Sequence, residues 1–212
     1  MPVATSVAHG CDARRSAVTL RVSGGTWRGL RLRAPSQARP TQERVREALF
    51  SRWGSRVEGS DVLDLYAGSG VVGVEALSRG AKWCGFVDER SESLRVVEHN
   101  LRHCGASATV AAMVRRRLPE GLERLPAEWP RAFDLVFADP PYAFRRYGAL
   151  LAAISLLLAP GAELVVEHSA RVEVVVPDQV LVSESRRYGD TVLSFVSAAP
   201  DPDRHDQGKP RK

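Results

Sequence analysis

Cysteine is scarce in this chain: Cys11, Cys84 and Cys104 are the three in 212 residues. An odd number cannot close into pairs and no CxxC spacing is present, so a disulfide scaffold is excluded and a reduced, cytoplasmic protein is expected. Long apolar runs are missing as well. The longest near-apolar stretch, Ala149–Ala159 with Ser155 inside it, is about half of what a bilayer crossing needs, so no membrane partner is expected. Met1–Gly10 lacks a charged start followed by an apolar segment, and no secretory signal is read there. Lysine is rare too, for 27 of the 30 basic residues are Arg. What remains is an ordinary composition, 44% hydrophobic and 26% charged, which excludes wholesale disorder. The length suits one globular domain with a small appendage.

Charge is unevenly placed. The net +5 divides into +7 over residues 1–60 and −2 over residues 61–212. A basic front end on a near-neutral body attracts a polyanion. A coding bias toward Arg would produce the same excess, so charge alone does not decide for nucleic acid.

The chain divides into a flexible extension (1–17), a basic hairpin and helix (18–58), a catalytic-sized domain (59–199) and a disordered polar tail (200–212). Two alternating stretches around Gly24-Gly25 read as a β-hairpin with Arg on its polar face. Pro40-Thr41 opens a helix to about Arg52, with Thr41 as N-cap and Val45, Ala48 and Leu49 as its buried stripe. From Asp61 strands and helices alternate. Strands are expected at Val62–Tyr66, Trp83–Asp88, Thr109–Val114, Phe133–Ala138 and Leu164–Glu167. Helices are expected at Val71–Ser78, Glu92–His103, near Glu120–Leu125, and at Ala149–Leu158 before Pro160-Gly161. Such βαβ units imply a parallel sheet. Val180–Ser185 and Val192–Ser197 close it as an antiparallel hairpin across Tyr188-Gly189-Asp190.

Two segments carry chemistry. Asp64-Leu65-Tyr66-Ala67-Gly68-Ser69-Gly70 is a Gly-rich turn between a strand and a helix, where backbone can approach a ligand and unpaired N–H groups are open. Gly68, Gly70 and Gly73 satisfy GxGxxG, and Asp88 follows the next strand as a ribose acceptor. The motif alone admits a nicotinamide oxidoreductase or an S-adenosylmethionine (SAM) enzyme. Asp64 helps to choose, because a carboxylate inside the first strand suits the ammonium and sulfonium of SAM and repels a pyrophosphate. The lesser alternative is that Asp64 caps its turn and Asp88 the next helix, and Asp88 could fill both roles.

The second segment is Asp139-Pro140-Pro141-Tyr142, 75 residues after Asp64. Two prolines remove two N–H donors and stiffen the backbone. Asp139 and the Pro140 carbonyl can each accept one N–H of an amino group on a planar base, with Tyr142 stacked on its ring.

With both segments placed, the chain resembles the SAM-dependent amino methyltransferases of nucleic acids. More narrowly it is similar to the bacterial enzymes that methylate the N2 amine of a guanine in 16S ribosomal RNA. The similarity lies in Val22–Gly29, Arg39–Phe50, Asp64–Ala81, Asp139–Tyr142 and Tyr188–Thr191, spread over roughly residues 21–197. It implies a Rossmann-like methyltransferase fold: a mostly parallel seven-stranded sheet with an antiparallel C-terminal hairpin, plus the small N-terminal hairpin and helix. It implies Asp139, Pro140 and Tyr142 as catalytic residues. Thr41, Asp64, Tyr66, Ala67, Gly68, Ser69, Gly70 and Asp88 are the implied cofactor contacts. Arg21, Arg28, Arg31, Arg33, Arg44 and Arg46 are expected to face RNA, within a small-subunit ribosomal particle, the protein acting as a monomer without metal. His99 and His103, at i and i+4, stand among Arg95, Glu98, Asn100 and Arg102, which read as a solvated face and not as a metal site. Met113 departs from the resemblance, standing where an acidic or amide residue would flank the adenine, and that subsite is left unassigned. The competing readings are a DNA adenine-N6 methyltransferase, a nicotinamide enzyme and a non-catalytic RNA-binding module.

Overall fold

The computed structural model describes residues 20–35 and 43–199. The expected extension, the tail and the Pro40-Thr41 helix start, Thr41 included, lie outside the described residues. Two short strands, β1 (Leu20–Arg21) and β2 (Arg31–Leu32), pair antiparallel, with Leu20 opposite Leu32. Helix α1 (Glu43–Trp53) follows. Next come β3 (Asp61–Leu65), α2 (Val71–Ser78), β4 (Trp83–Asp88), α3 (Ser91–His103) and β5 (Ala111–Arg115). After a 3-10 turn and the short α4 (Leu125–Glu128) come β6 (Phe133–Ala138), α5 (Tyr147–Ser155) and β7 (Leu158–Ser169). The hairpin β8 (Val180–Tyr188) and β9 (Thr191–Ala198) ends the described chain.

The seven strands run in the order β5-β4-β3-β6-β7-β9-β8, parallel except where β9 pairs antiparallel with β7 and β8. This is the Rossmann-like methyltransferase fold expected from the sequence. A near-continuous apolar strand is what a sheet covered on both faces requires, and every residue of β4 is buried. One core holds α1, α2 and α3 against Val62, Cys84, Phe86, Phe137 and Phe195. The other holds α5 and the 3-10 turn against Leu63, Val87, Val136 and Val166. Strand order reverses between β3 and β6, and ligands of open α/β sheets sit outside the carboxyl ends at that point.

Several boundaries shift for local reasons. Tyr66, expected to end the first strand, leaves it at φ +58, in the left-handed region. The fifth strand starts six residues earlier than expected, because α5 stops at Ser155 and Leu158 already pairs with Phe133. Pro160-Gly161 is therefore taken up as an irregularity inside β7, with Gly161 at φ +77, and does not stop a helix. β5 spans Ala111–Arg115, so Met113 sits mid-strand opposite Phe86 and Arg115 lies beside Asp88.

The N-terminal hairpin is shorter in pairing and more integrated than alternation suggested. The Ser78 carbonyl accepts the Thr26 N–H at 2.7 Å, and the Ser78 hydroxyl accepts the Trp27 N–H while donating to the Gly24 carbonyl. Gly25, at φ +76, fits there because a Cβ would lie 1.8 Å from the Ser78 oxygen. Leu20, Val22 and Leu32 share a core with α1 and α2.

Candidate active site

Between β3 and α2 the chain must turn sharply, and two glycines take it there: Gly68 at φ +55 and Gly70 at φ +71. Gly73 has a packing role, since a Cβ on it would meet the Phe86 ring at 2.3 Å and the Cys84 sulfur at 2.6 Å. Helix α2 thus lies close on β4. The loop is held from beneath by carboxylates. Asp64 accepts the Gly73 N–H at 3.0 Å, and Asp88 accepts the Gly68 N–H at 2.9 Å and the Arg90 N–H at 2.8 Å. Asp64 thus holds the first turn of α2 as considered, whereas Asp88 is not the N-cap of α3, whose N-cap is Arg90, and holds the glycine loop instead; each carboxylate keeps lone pairs for a ligand. Ala67 adds a backbone bond from its N–H to the Val87 carbonyl. Ser69 is buried, and the Tyr66 ring meets Phe144 edge-on while its buried hydroxyl has no partner among the described residues.

The second segment emerges from the neighbouring strand. Leu65 pairs with Ala138, which sets Asp139 beside the exit of β3. Phe137 is in register with Asp64, and strand alternation puts Asp139 on the same sheet face as both. Burial pushes the Asp64 carboxyl up to about 8, helped by the charges of Asp139 and Asp88 and opposed by the Gly73 N–H. Burial likewise pushes Asp139 up to about 7. A cation placed beside two such acids would favour their ionised forms. Pro140 is buried, whereas Tyr142 is 48% exposed at the mouth.

Residues 20–197 match the family described as Conserved hypothetical protein 95. The chain belongs to this family. It is 35% identical over 183 residues to YlbH of Bacillus subtilis (strain 168), covering 83% of this chain and 97% of that one. It is 32% identical over 177 residues to the ribosomal RNA small subunit methyltransferase D of Haemophilus influenzae, covering 80% and 89%. The solved structure of the hypothetical protein TTHA0928 of Thermus thermophilus superposes with a TM-score of 0.70 at 31% identity, over 84% of this chain and 98% of that one.

In this member of the Conserved hypothetical protein 95 family, the arginines expected at an RNA surface divide. Arg21, Arg28, Arg31, Arg33 and Arg44 are exposed. Arg46 is not: it is 1% exposed, and its guanidinium pairs with Glu75 at 3.0 Å and donates to the Arg21 carbonyl at 2.8 Å. The expectation for Arg46 is corrected, because at this position on α1 the side chain points at α2 and has no access to a phosphate.

Two polar residues tie these parts together: Glu75, to which the sequence reading gave no role, and Asn100, expected on a solvated face of its helix and found wholly buried. Glu75, wholly buried in the middle of α2, pairs with Arg46 and with Arg79 at 2.7 Å, and also accepts the Ser23 N–H and hydroxyl. Asn100, wholly buried on α3, accepts the Arg33 N–H and donates to the carbonyls of Arg33 and Ser69. Both carried a sequence signal. Glu75 interrupts the apolar helix Val-Val-Gly-Val-Glu-Ala-Leu-Ser, and Asn100 stands between Val97 and Leu101 on the buried face of α3. A charge or amide at a core position needs partners, and here the partners are the N-terminal segment and the glycine loop.

Proposed function

We propose that the protein is a SAM-dependent methyltransferase acting on the exocyclic N2 amine of a guanine in the 16S RNA of the small ribosomal subunit. The observation that carries the reading is the juxtaposition of Asp139-Pro140-Pro141-Tyr142 with the glycine loop at the reversal point of the sheet. The names of relatives, including the small subunit methyltransferase D of Haemophilus influenzae, support it. So does the segment between Asp64 and Asp139, which consists of α2, β4, α3, β5, a 3-10 turn, α4 and β6 with no inserted domain for reading duplex DNA.

The residues present fit SAM. Asp64 and Asp139 are buried acids without a resident cation among the described residues, Gly68 and Gly70 leave the backbone open to close approach, and Asp88 faces the loop. Bound there, SAM supplies a methyl on a sulfonium, whose C–S electron pair returns to sulfur as the N–C bond forms. A purine amine is a poor nucleophile because its lone pair is delocalised into the ring. Asp139 and the Pro140 carbonyl hold its two N–H groups and favour a pyramidal nitrogen with the lone pair aimed at the methyl. Positioning of this kind contributes at most ~7–11 kcal/mol. The Asp139 carboxylate stabilises the charge developing on nitrogen, and its acidity near neutrality lets it receive the proton that the methylated amine sheds. Tyr142 stacks on the base, which must first leave its own stack at a cost of a few kcal/mol, roughly.

The test is transfer of labelled methyl to small ribosomal subunits, followed by nucleoside analysis. N2-methylguanine is expected, and N6-methyladenine would transfer the reading to adenine chemistry. Asp139→Ala should bind SAM as the parent does and lose transfer. Parental single-turnover rates in that variant would remove Asp139 from the mechanism.

A further inference from the structure

A cavity of about 390 Å³ opens beside the base-holding turn, lined by Arg44, Tyr142, Ser169, Arg171, Tyr188 and Asp190. Separate segments build it. α1 brings Arg44, the end of β7 and the residues after it bring Ser169 and Arg171, and the β8–β9 tip brings Tyr188 and Asp190. It shares Tyr142 with the turn, whereas Asp139 and Pro140 are not among its lining residues.

The walls are pre-set. Tyr188 pairs with Thr191, leaving Gly189 and Asp190 as a two-residue loop in which Gly189 takes φ +64. The Ala170 N–H donates to the Asp190 carbonyl at 2.9 Å, which ties the hairpin tip to the end of β7. The Arg171 N–H donates to the Ser169 hydroxyl at 3.2 Å and fixes the start of the following loop. Arg44 and Arg171 are exposed, and neither forms an ion pair among the described residues. Two cations against the single carboxylate of Asp190 leave the cavity positive.

We propose that this cavity is the seat of a nucleotide that flanks the methylated base in the RNA chain; the proposal rests on the reading of the protein as an RNA methyltransferase. The volume lies at the lower end of small-ligand sites and suits one nucleotide. Arg44 and Arg171 take its phosphate, the Tyr188 ring supports its base, and Asp190 accepts from a base N–H or a ribose hydroxyl. Extruding the target base separates it from its neighbour, and unstacked RNA bases are held on aromatic faces. Tyr142, which lines the cavity and belongs to the base-holding turn, stands between target and neighbour. The Tyr188-Gly189-Asp190-Thr191 segment, which the methyl-transfer chemistry does not use, thereby acquires a role in choosing the RNA context.

Arg44→Gln/Arg171→Gln tests this in the full chain, with small-subunit ribosomal RNA as the probe. Direct binding should weaken on the order of tenfold, with the slope of log affinity against log salt falling by about one to two units. SAM affinity should stay parental, and in turnover the loss should appear in KM and not in kcat. Ultraviolet crosslinking of the unaltered chain should join Tyr188 to the nucleotide next to the methylated one. Unchanged affinity and slope in the double variant, or a Tyr188 crosslink at a distant nucleotide, would overturn the proposal. Displacement of the RNA by a free nucleoside monophosphate at micromolar concentration would also overturn it, showing a site for a diffusible ligand. Because binding is read directly, the two failures are distinguishable: a chain that binds RNA through Arg44 and Arg171 but transfers no methyl refutes the proposed function, and one that transfers methyl with unchanged binding in the double variant refutes the cavity's role.

Discussion

Arg46→Leu separates a structural cation from an RNA contact. The Arg46 side chain is 2% exposed and its Glu75 partner 0%. Removing the guanidinium leaves the Glu75 carboxylate buried with Arg79 as its one remaining cation among the described residues, and leaves the Arg21 carbonyl without that donor. Breaking a buried pair from one side costs ~3–5 kcal/mol, most of it the penalty of the stranded charge. Arg79 stays close to Glu75 and is 30% exposed, so the lower end, about 3 kcal/mol, applies here. For a domain of this size that lowers Tm by roughly 6–12 °C. Adding Glu75→Gln should return part of the loss, since an amide oxygen in the Oε1 place keeps the Arg79 and Ser23 hydroxyl bonds without needing a countercharge, while the Ser23 N–H bond is given up. Thermal melts of the three variants measure both values. The reasoning fails if Arg46→Leu melts within ~2 °C of the parent, a shift below 1 kcal/mol, while RNA binding and its salt slope decline.

Two further outcomes follow from the charges. Asp64 and Asp139 titrate near 8 and 7 in the folded chain, above the usual carboxylate range. An acid whose folded pKa is raised adds stability below its unfolded value and loses it as pH rises through the folded one. The ligand-free Tm should therefore fall between about pH 5 and 8 and level off above that, and SAM should bind more tightly as pH rises. S-adenosylhomocysteine, which lacks the sulfonium charge, should gain less, and Asp64→Asn should flatten the ligand-free decline. A ligand-free Tm constant across that window would contradict the assignment. On the basic surface, Arg28→Gln/Arg31→Gln/Arg33→Gln should weaken RNA binding and reduce its salt slope by up to about two to three units, with SAM affinity parental. An unchanged slope on ribosomal subunits would assign these three arginines to solubility and leave docking to the loops.

Strand identity was legible because parallel strands buried on both faces are written as solid apolar blocks. β4 and β6 stand at the residues expected, Trp83–Asp88 and Phe133–Ala138. α2 also stands as expected at Val71–Ser78, since the glycine before it and Gly80 after it punctuate the chain. The misplaced start of β7 has a local cause: Pro160-Gly161 usually ends an element, and only pairing with β6 shows that the strand absorbs it. Arg46 was misread because propensity and charge cannot tell which side of α1 meets α2. Glu75 is the counterpart that reveals it, and a buried pair 29 residues apart in sequence leaves no local pattern. The cavity beyond Tyr142 was illegible for the same reason, being assembled from α1, the β7 end and the terminal hairpin.

The position of Asn100 explains how one small domain can carry a basic surface and a cofactor loop without mixing their effects. Its amide takes both backbone groups of Arg33 and the carbonyl of Ser69, joining the end of the N-terminal segment to the glycine turn. The junction is made through backbone atoms at Arg33, so the guanidinium stays at the surface and plays no part in shaping the loop. Altering that side chain changes the charge presented to RNA and leaves the hydrogen bonds that set Ser69 in place. Glu75 repeats the arrangement at the other end of the segment, where the Ser23 N–H is held by a carboxylate from inside α2. The N-terminal segment is thus anchored at two points by buried polar side chains, Asn100 through main chain and Glu75 through the Ser23 N–H and hydroxyl together with its pairs to Arg46 and Arg79. Its exposed arginines can therefore change without disturbing the backbone that supports the start of α2.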